Sequence, residues 1–162
     1  MRCPACGQAV QPDPTGKCPL CGFPARELNR KVTTIYATTS AIFFSTLVYA
    51  LLVYLMRTAH TAQPTPVANT MFWLAIGLSV ADGVAMLVVN NITVKAALCE
   101  VPAILGLCVF FLSGEVAEFV ALLGISVALF VLLAAKIPSY INQIEQKAIH
   151  EWQQQQPEDR SW

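Results

Sequence analysis

The chain has 162 residues, of which 56% are apolar and only 12% charged, with a mean hydropathy of +0.56. An average soluble domain is about 45–50% apolar and roughly 25% charged, so an ordinary soluble domain is excluded, and the same apolar content excludes disorder over most of the length. Ten basic residues balance ten acidic ones. That removes the broad basic surface expected of a nucleic-acid-binding protein.

The chain opens with a polar, cysteine-rich stretch. Cys3-Pro4-Ala5-Cys6-Gly7 and Cys18-Pro19-Leu20-Cys21-Gly22 are two copies of one five-residue device, eleven residues apart. Two thiolates separated by two residues can face one ion, and the glycine after them tolerates the left-handed backbone of the tight turn. Two such turns supply a tetrahedral four-sulfur site from Cys3, Cys6, Cys18 and Cys21. Sulfur ligands suit zinc or iron and not magnesium or calcium, and zinc is favoured because it needs no redox partner. A pair of disulfides is the competing use of these cysteines and requires an oxidising compartment. With four protein ligands the ion has no open position, so the site is expected to be structural. Residues 1–24 thus read as a zinc ribbon, with too little core of its own to fold without metal. Pro4, Pro12, Pro14, Pro19 and Pro24 argue against a long helix here. Residues 25–31, with Arg26, Arg30 and Lys31, read as a basic linker. No early apolar run of about 7–15 residues precedes Val32, so no signal peptide is expected.

Four apolar stretches follow, at 32–56, 70–90, 96–113 and 119–137, of 25, 21, 18 and 19 residues. About 20 residues cross the roughly 30 Å hydrocarbon core as a helix. The expected fold class is therefore an all-α membrane protein, a four-helix transmembrane bundle with a small N-terminal zinc ribbon. Short links between the later segments predict antiparallel neighbours in an up-down bundle. With four crossings, Arg26, Arg30, Lys31, Lys95, Lys136 and Lys147 fall on one side, while the opposite links hold Arg57, Glu115 and Glu118. The positive-inside rule then puts both termini in the cytosol. The same orientation places the cysteines in a reducing compartment, which favours metal over disulfides. Beyond Pro138, Ile141, Ile144, Ala148 and Trp152 recur at spacings of three and four, predicting an amphipathic cytosolic tail helix over 138–156 that lies on the membrane, on the ribbon or on a partner, or else is a solvated helical extension ending the fourth segment. Residues 157–162 are expected to be a disordered end.

Inside the apolar segments, Asp82 and Glu100 stand out. An ionised acid at mid-membrane is costly, so both are expected to be neutral or paired and to face the bundle interior. Ser79, Asn90 or a backbone carbonyl are the expected partners, and the two acids themselves could meet across neighbouring helices. Ile76-Gly77-Leu78-Ser79-Val80-Ala81 also matches Leu123-Gly124-Ile125-Ser126-Val127-Ala128 at four of six positions, as duplication of a hairpin or a shared need for close helix packing would produce. Cys99 and Cys108 read as small packing residues. His60 and His150 read as solvated.

The Cys-Pro-x-Cys-Gly pair followed by membrane helices resembles the zinc-ribbon membrane proteins of unknown role found in prokaryotes, over residues 1 to about 24. The resemblance implies a docking or assembly module in what would be a prokaryotic plasma membrane. Residues 72–114, a Gly-containing helix, a polar link and a helix opening with Glu100-Val101-Pro102-Ala103, look like the hairpin of rotary ATPase proteolipid subunits, in which Glu100 would correspond to the proton-carrying carboxylate. Pro102 and the closeness of Glu100 to the link depart from that pattern. The expected function is a non-enzymatic integral membrane protein whose cytosolic ribbon and tail recruit or assemble a protein partner or a homo-oligomer, with lipid around the spans and no nucleic acid. The alternative is a proton- or ion-conducting oligomer using Asp82 and Glu100. An enzyme is not expected, because no nucleophile-and-base pair or phosphate loop is present.

Overall fold

A computed structural model of the chain describes residues 3–9, 11–57 and 66–155. Four helices follow the cysteine-rich stretch: α1 (Ala25–Met56), α2 (Pro66–Val88), α3 (Ile92–Ser113) and α4 (Val116–Gln154). All four are long and apolar enough to cross a membrane. The fold class is all-α, with four long apolar helices packed together and an N-terminal four-cysteine cluster. The chain divides into two units, Met1–Tyr36 with Lys136–Trp162, and Ala37–Ala135.

Both outer helices run past their apolar segments. The expected linker 25–31 is instead the first two turns of α1. Pro24 blocks helix before it, the Leu28 N–H reaches the Pro24 carbonyl at 3.3 Å, and the Ala25 N–H that of Phe23 at 2.8 Å. Glu27 and Lys31 pair at 2.9 Å across one exposed turn, worth a few tenths of a kcal/mol. Tertiary burial decides the start: Ala25 and Leu28 are 4% and 7% exposed in the core of the cysteine-rich unit. Likewise 119–137 and the tail from 138 through Gln154 are one helix, with Pro138 inside it, and residue 156 of the expected tail lies outside the described residues. The expected end at 157–162 lies outside the described residues, as do 58–65 of the first link.

Within residues 37–135, α2 and α3 pack along each other. Asn91 caps α3, its side chain accepting from the Thr93 N–H at 2.9 Å. Gly114 closes that helix at φ 73°, a left-handed position glycine adopts without strain, and its N–H meets the Phe110 carbonyl at 2.7 Å. Val53, Phe110 and Phe119 form one buried cluster from α1, α3 and α4, and Ala75, Val109 and Leu122 another from α2, α3 and α4. Large side chains such as Phe44, Trp73, Leu87 and Val131 stay exposed, as suits helices whose solvent is lipid. In lipid, apolar burial drives little association, and close packing and interhelical hydrogen bonds take over.

Small residues at the contacts supply that closeness, but not at the repeated hexapeptide's glycines. A Cβ at Gly77 or Gly124 would meet nothing within 4 Å, whereas one at Gly106 would stand 3.1 Å from Leu122 Cβ. The serines of the two hexapeptides, Ser79 and Ser126, are 1% and 0% exposed. The repeat thus aligns two buried serines and two outward glycines, and the tight approach of α3 to α4 falls at Gly106.

Candidate metal centre

Each Cys-Pro-x-Cys-Gly device folds into the same turn. The Cys3 N–H donates to the Gln8 carbonyl at 2.9 Å and the Gly7 N–H to the Cys3 carbonyl at 2.9 Å; the Cys18 N–H donates to Phe23 and the Gly22 N–H to Cys18, both at 2.8 Å. Gly7 and Gly22 sit at φ 72° and 75°, where any other residue would be strained. The connecting loop is stitched at Asp13, whose Oδ1 accepts from the Thr15 hydroxyl at 2.6 Å and the Lys17 N–H at 2.9 Å. Those bonds hold its carboxyl below the usual range. The Arg26 N–H then reaches the Gly16 carbonyl at 3.0 Å, tying the loop to α1.

The two turns bring all four thiols together. Cys3 and Cys21 Sγ are 3.7 Å apart, Cys6 and Cys18 Sγ 3.9 Å, and all four sulfurs lie within 4.8 Å of one another. Sulfurs bound tetrahedrally at about 2.3 Å from zinc stand about 3.8 Å apart, so the donor set fits such an ion. All four cysteines are free. The cluster could hold a metal ion. Burial opposes ionisation of Cys18, yet backbone hydrogen bonds at Cys21 and Leu20 and the neighbouring thiols bring it down to about 7. Burial and the thiols of Cys18, Cys3 and Cys6 push Cys21 up to about 12. Four thiolates this close cannot all ionise without a cation among them.

The cysteines share a core with the end of α4. Cys3 and Cys18 are 1% and 2% exposed and cluster with Phe23, Ala25 and Leu28, against which Ile144, Ala148, Ile149 and Trp152 pack. The Phe23 and Trp152 rings meet edge to face, with centroids 5.9 Å apart. The tail thus packs on the cysteine-rich core while continuing α4 as a helical extension. Ile149 joins Ile144, Ala148 and Trp152 on the packed face, a residue outside the three-and-four stripe.

The intramembrane acids are placed differently from each other. Glu100 Oε1 lies against the hydroxyls of Ser45 and Tyr49 on α1, the latter donating at 2.8 Å. These partners, rather than Ser79 or Asn90, hold it. Ser79 spends its hydroxyl on the Ala75 carbonyl at 2.7 Å. Asp82 has a buried Oδ2 with no hydrogen-bond partner, a property shared among the described residues with Glu118 Oε2. Nothing bonds Asp82 to Glu100. Cys99 contacts Met86 Sδ at 3.7 Å, while its carbonyl accepts from the Ser126 hydroxyl at 2.5 Å; Cys108 is exposed. Neither joins the four-cysteine cluster.

Compared with known proteins, the chain matches no family model, no curated protein and no solved structure.

Proposed function

We propose that this is a non-enzymatic integral membrane protein whose thiol cluster holds one structural zinc ion, and whose ribbon and α4 tail together recruit or assemble a protein partner at the cytosolic face. The observation that carries the reading is the single core shared by Cys3, Cys18, Phe23, Leu28 and the tail residues Ile144, Ala148 and Trp152. Cys3, Cys6, Cys18 and Cys21 would hold the ion, which supplies charge neutralisation and cross-linking of the two turns. Four sulfur ligands leave it no position for water or substrate, which speaks for assembly rather than catalysis. Leu20, at the tip of the second turn, is 66% exposed and offers an apolar contact beside the core. Both termini lie in the cytosol on the strength of the Lys/Arg asymmetry.

Crosslinking in intact membranes, followed by purification under denaturing conditions, tests this. One defined partner should be captured by the wild type, lost in Cys18→Ser, and kept in a lipid-facing control such as Leu87→Ala. Capture that is indifferent to Cys18 would refute the recruiting role. The conducting alternative has one observation in its favour, the unpartnered Asp82 Oδ2. Glu100, tied to Ser45 and Tyr49, supports helix packing instead.

A further inference from the structure

A cleft of about 720 Å³ opens in the cysteine-rich unit, wholly within residues 1–36 and 136–162. Phe23 and Trp152 are among its lining residues, and three lysines line it: Lys17 from the loop between the cysteine turns, Lys31 from α1 and Lys147 from α4. Two carboxylates, Glu27 and Glu151, also line it. Each already faces a lysine, Glu27 with Lys31 at 2.9 Å and Glu151 with Lys147 at 4.0 Å. Lys17 has no carboxylate partner among the described residues. The lining therefore carries one net positive charge and includes the half-buried Trp152.

Chain continuity says what reaches this cleft. Lys31 immediately precedes the apolar run that starts at Val32, and both belong to the single helix α1. A lysine directly flanking a membrane span stands at the level of the lipid headgroups. An occupant of the cleft then needs one negative charge, a size within the few hundred Å³ usual for bound small molecules, and an apolar part to lie against Trp152. A phospholipid with a singly charged phosphodiester headgroup has all three.

We propose that this cleft is a binding site for the headgroup of an anionic phospholipid, the phosphodiester facing Lys17 and Lys147 and the glycerol region lying against Trp152. The site draws walls from the ribbon and from both α1 and α4. It does not depend on the ribbon having a protein partner.

Native mass spectrometry of the detergent-purified protein, titrated with phosphatidylglycerol or phosphatidylcholine, tests the proposal. The wild type should retain phosphatidylglycerol preferentially, and removal of each cleft lysine should weaken it about fivefold, the usual share of a lysine near an anionic lipid surface. Lys17→Gln/Lys31→Gln/Lys147→Gln should abolish the preference, whereas Lys95→Gln/Lys136→Gln, basic positions outside the cleft lining, should keep it. Metal content reports whether each variant keeps its thiol cluster. If the triple variant loses it, Lys147→Gln alone, at an exposed position on α4, is read for the fivefold weakening. Equal retention of the two lipids, a preference that survives the cleft substitutions, or one lost equally in the control pair would overturn the site. Displacement of the lipid by millimolar inorganic phosphate would overturn it in favour of a soluble-anion site.

Discussion

Gly106 offers the sharpest test of how the helices pack. Replacing it with alanine places a Cβ 3.1 Å from Leu122 Cβ, 3.3 Å from Phe119 Cδ2 and 3.4 Å from the Phe119 carbonyl oxygen, where ordinary carbon contacts sit at about 3.5–4.0 Å. The deficit is a few tenths of an ångström, but the neighbours cannot yield. Leu122 Cβ is fixed to its backbone, and Leu122 and Phe119 are 0% and 2% exposed. Overpacking of this kind costs about 1–3 kcal/mol, offset by about 1 kcal/mol of helix propensity gained on leaving glycine. Gly106→Ala should thus lose between nothing and about 2 kcal/mol, and Gly106→Leu, with three further heavy atoms, about 3 kcal/mol or more. Gly77→Leu and Gly124→Leu, inside helices where a Cβ meets nothing within 4 Å, should lose nothing and gain up to about 1 kcal/mol from helix propensity. Reversible unfolding in mixed micelles, followed by circular dichroism, measures all four. If the leucine at Gly106 is as well tolerated as those at Gly77 and Gly124, the α3–α4 contact is not where the structure puts it.

Ser126→Ala should cost about 1 kcal/mol in the same assay, since it removes the buried donor to the Cys99 carbonyl; an unchanged midpoint would show that this bond contributes nothing. Glu100→Gln should be nearly silent, whereas Glu100→Leu leaves the Ser45 and Tyr49 hydroxyls without their acceptor and should cost roughly 1–3 kcal/mol. Proteoliposomes of the wild type should show no proton flux; a flux abolished by Asp82→Asn and Glu100→Gln would establish the conducting alternative instead. Reporters fused to either end should read cytosolic while a cysteine introduced at Gln63 is labelled from outside, and the reverse pattern would invert the orientation.

The features carried by local sequence were legible: two cysteine turns fold on their own spacing and glycines, and hydropathy alone marks four spans. Where elements meet was not. Arg26, Asn29, Arg30 and Lys31 carry no apolar period, so the start of α1 follows from burial of Ala25 and Leu28, a tertiary fact. The drop in hydropathy at Pro138 resembles a break, yet a helix packed along its length tolerates the missing N–H, and α4 continues. Glu100 finds its partners 51 and 55 positions earlier in the chain, at Tyr49 and Ser45. Those two residues sit in an apolar run that gives no hint of a polar contact. The glycines of the repeated hexapeptide invited a packing role by identity alone. Only the assembled bundle shows that α3 and α4 close at Gly106.

The central claim, that the four thiols hold one zinc and that this organises the module with the α4 tail, is met most directly by elemental analysis of the purified protein. The measurement is made beside cysteine-to-serine variants at positions 3, 6, 18 and 21. About one zinc per chain is expected in the wild type, and loss of it in each variant. Metal-free wild-type protein that keeps its fold, or zinc retained when any one of the four sulfurs is removed, would contradict the account.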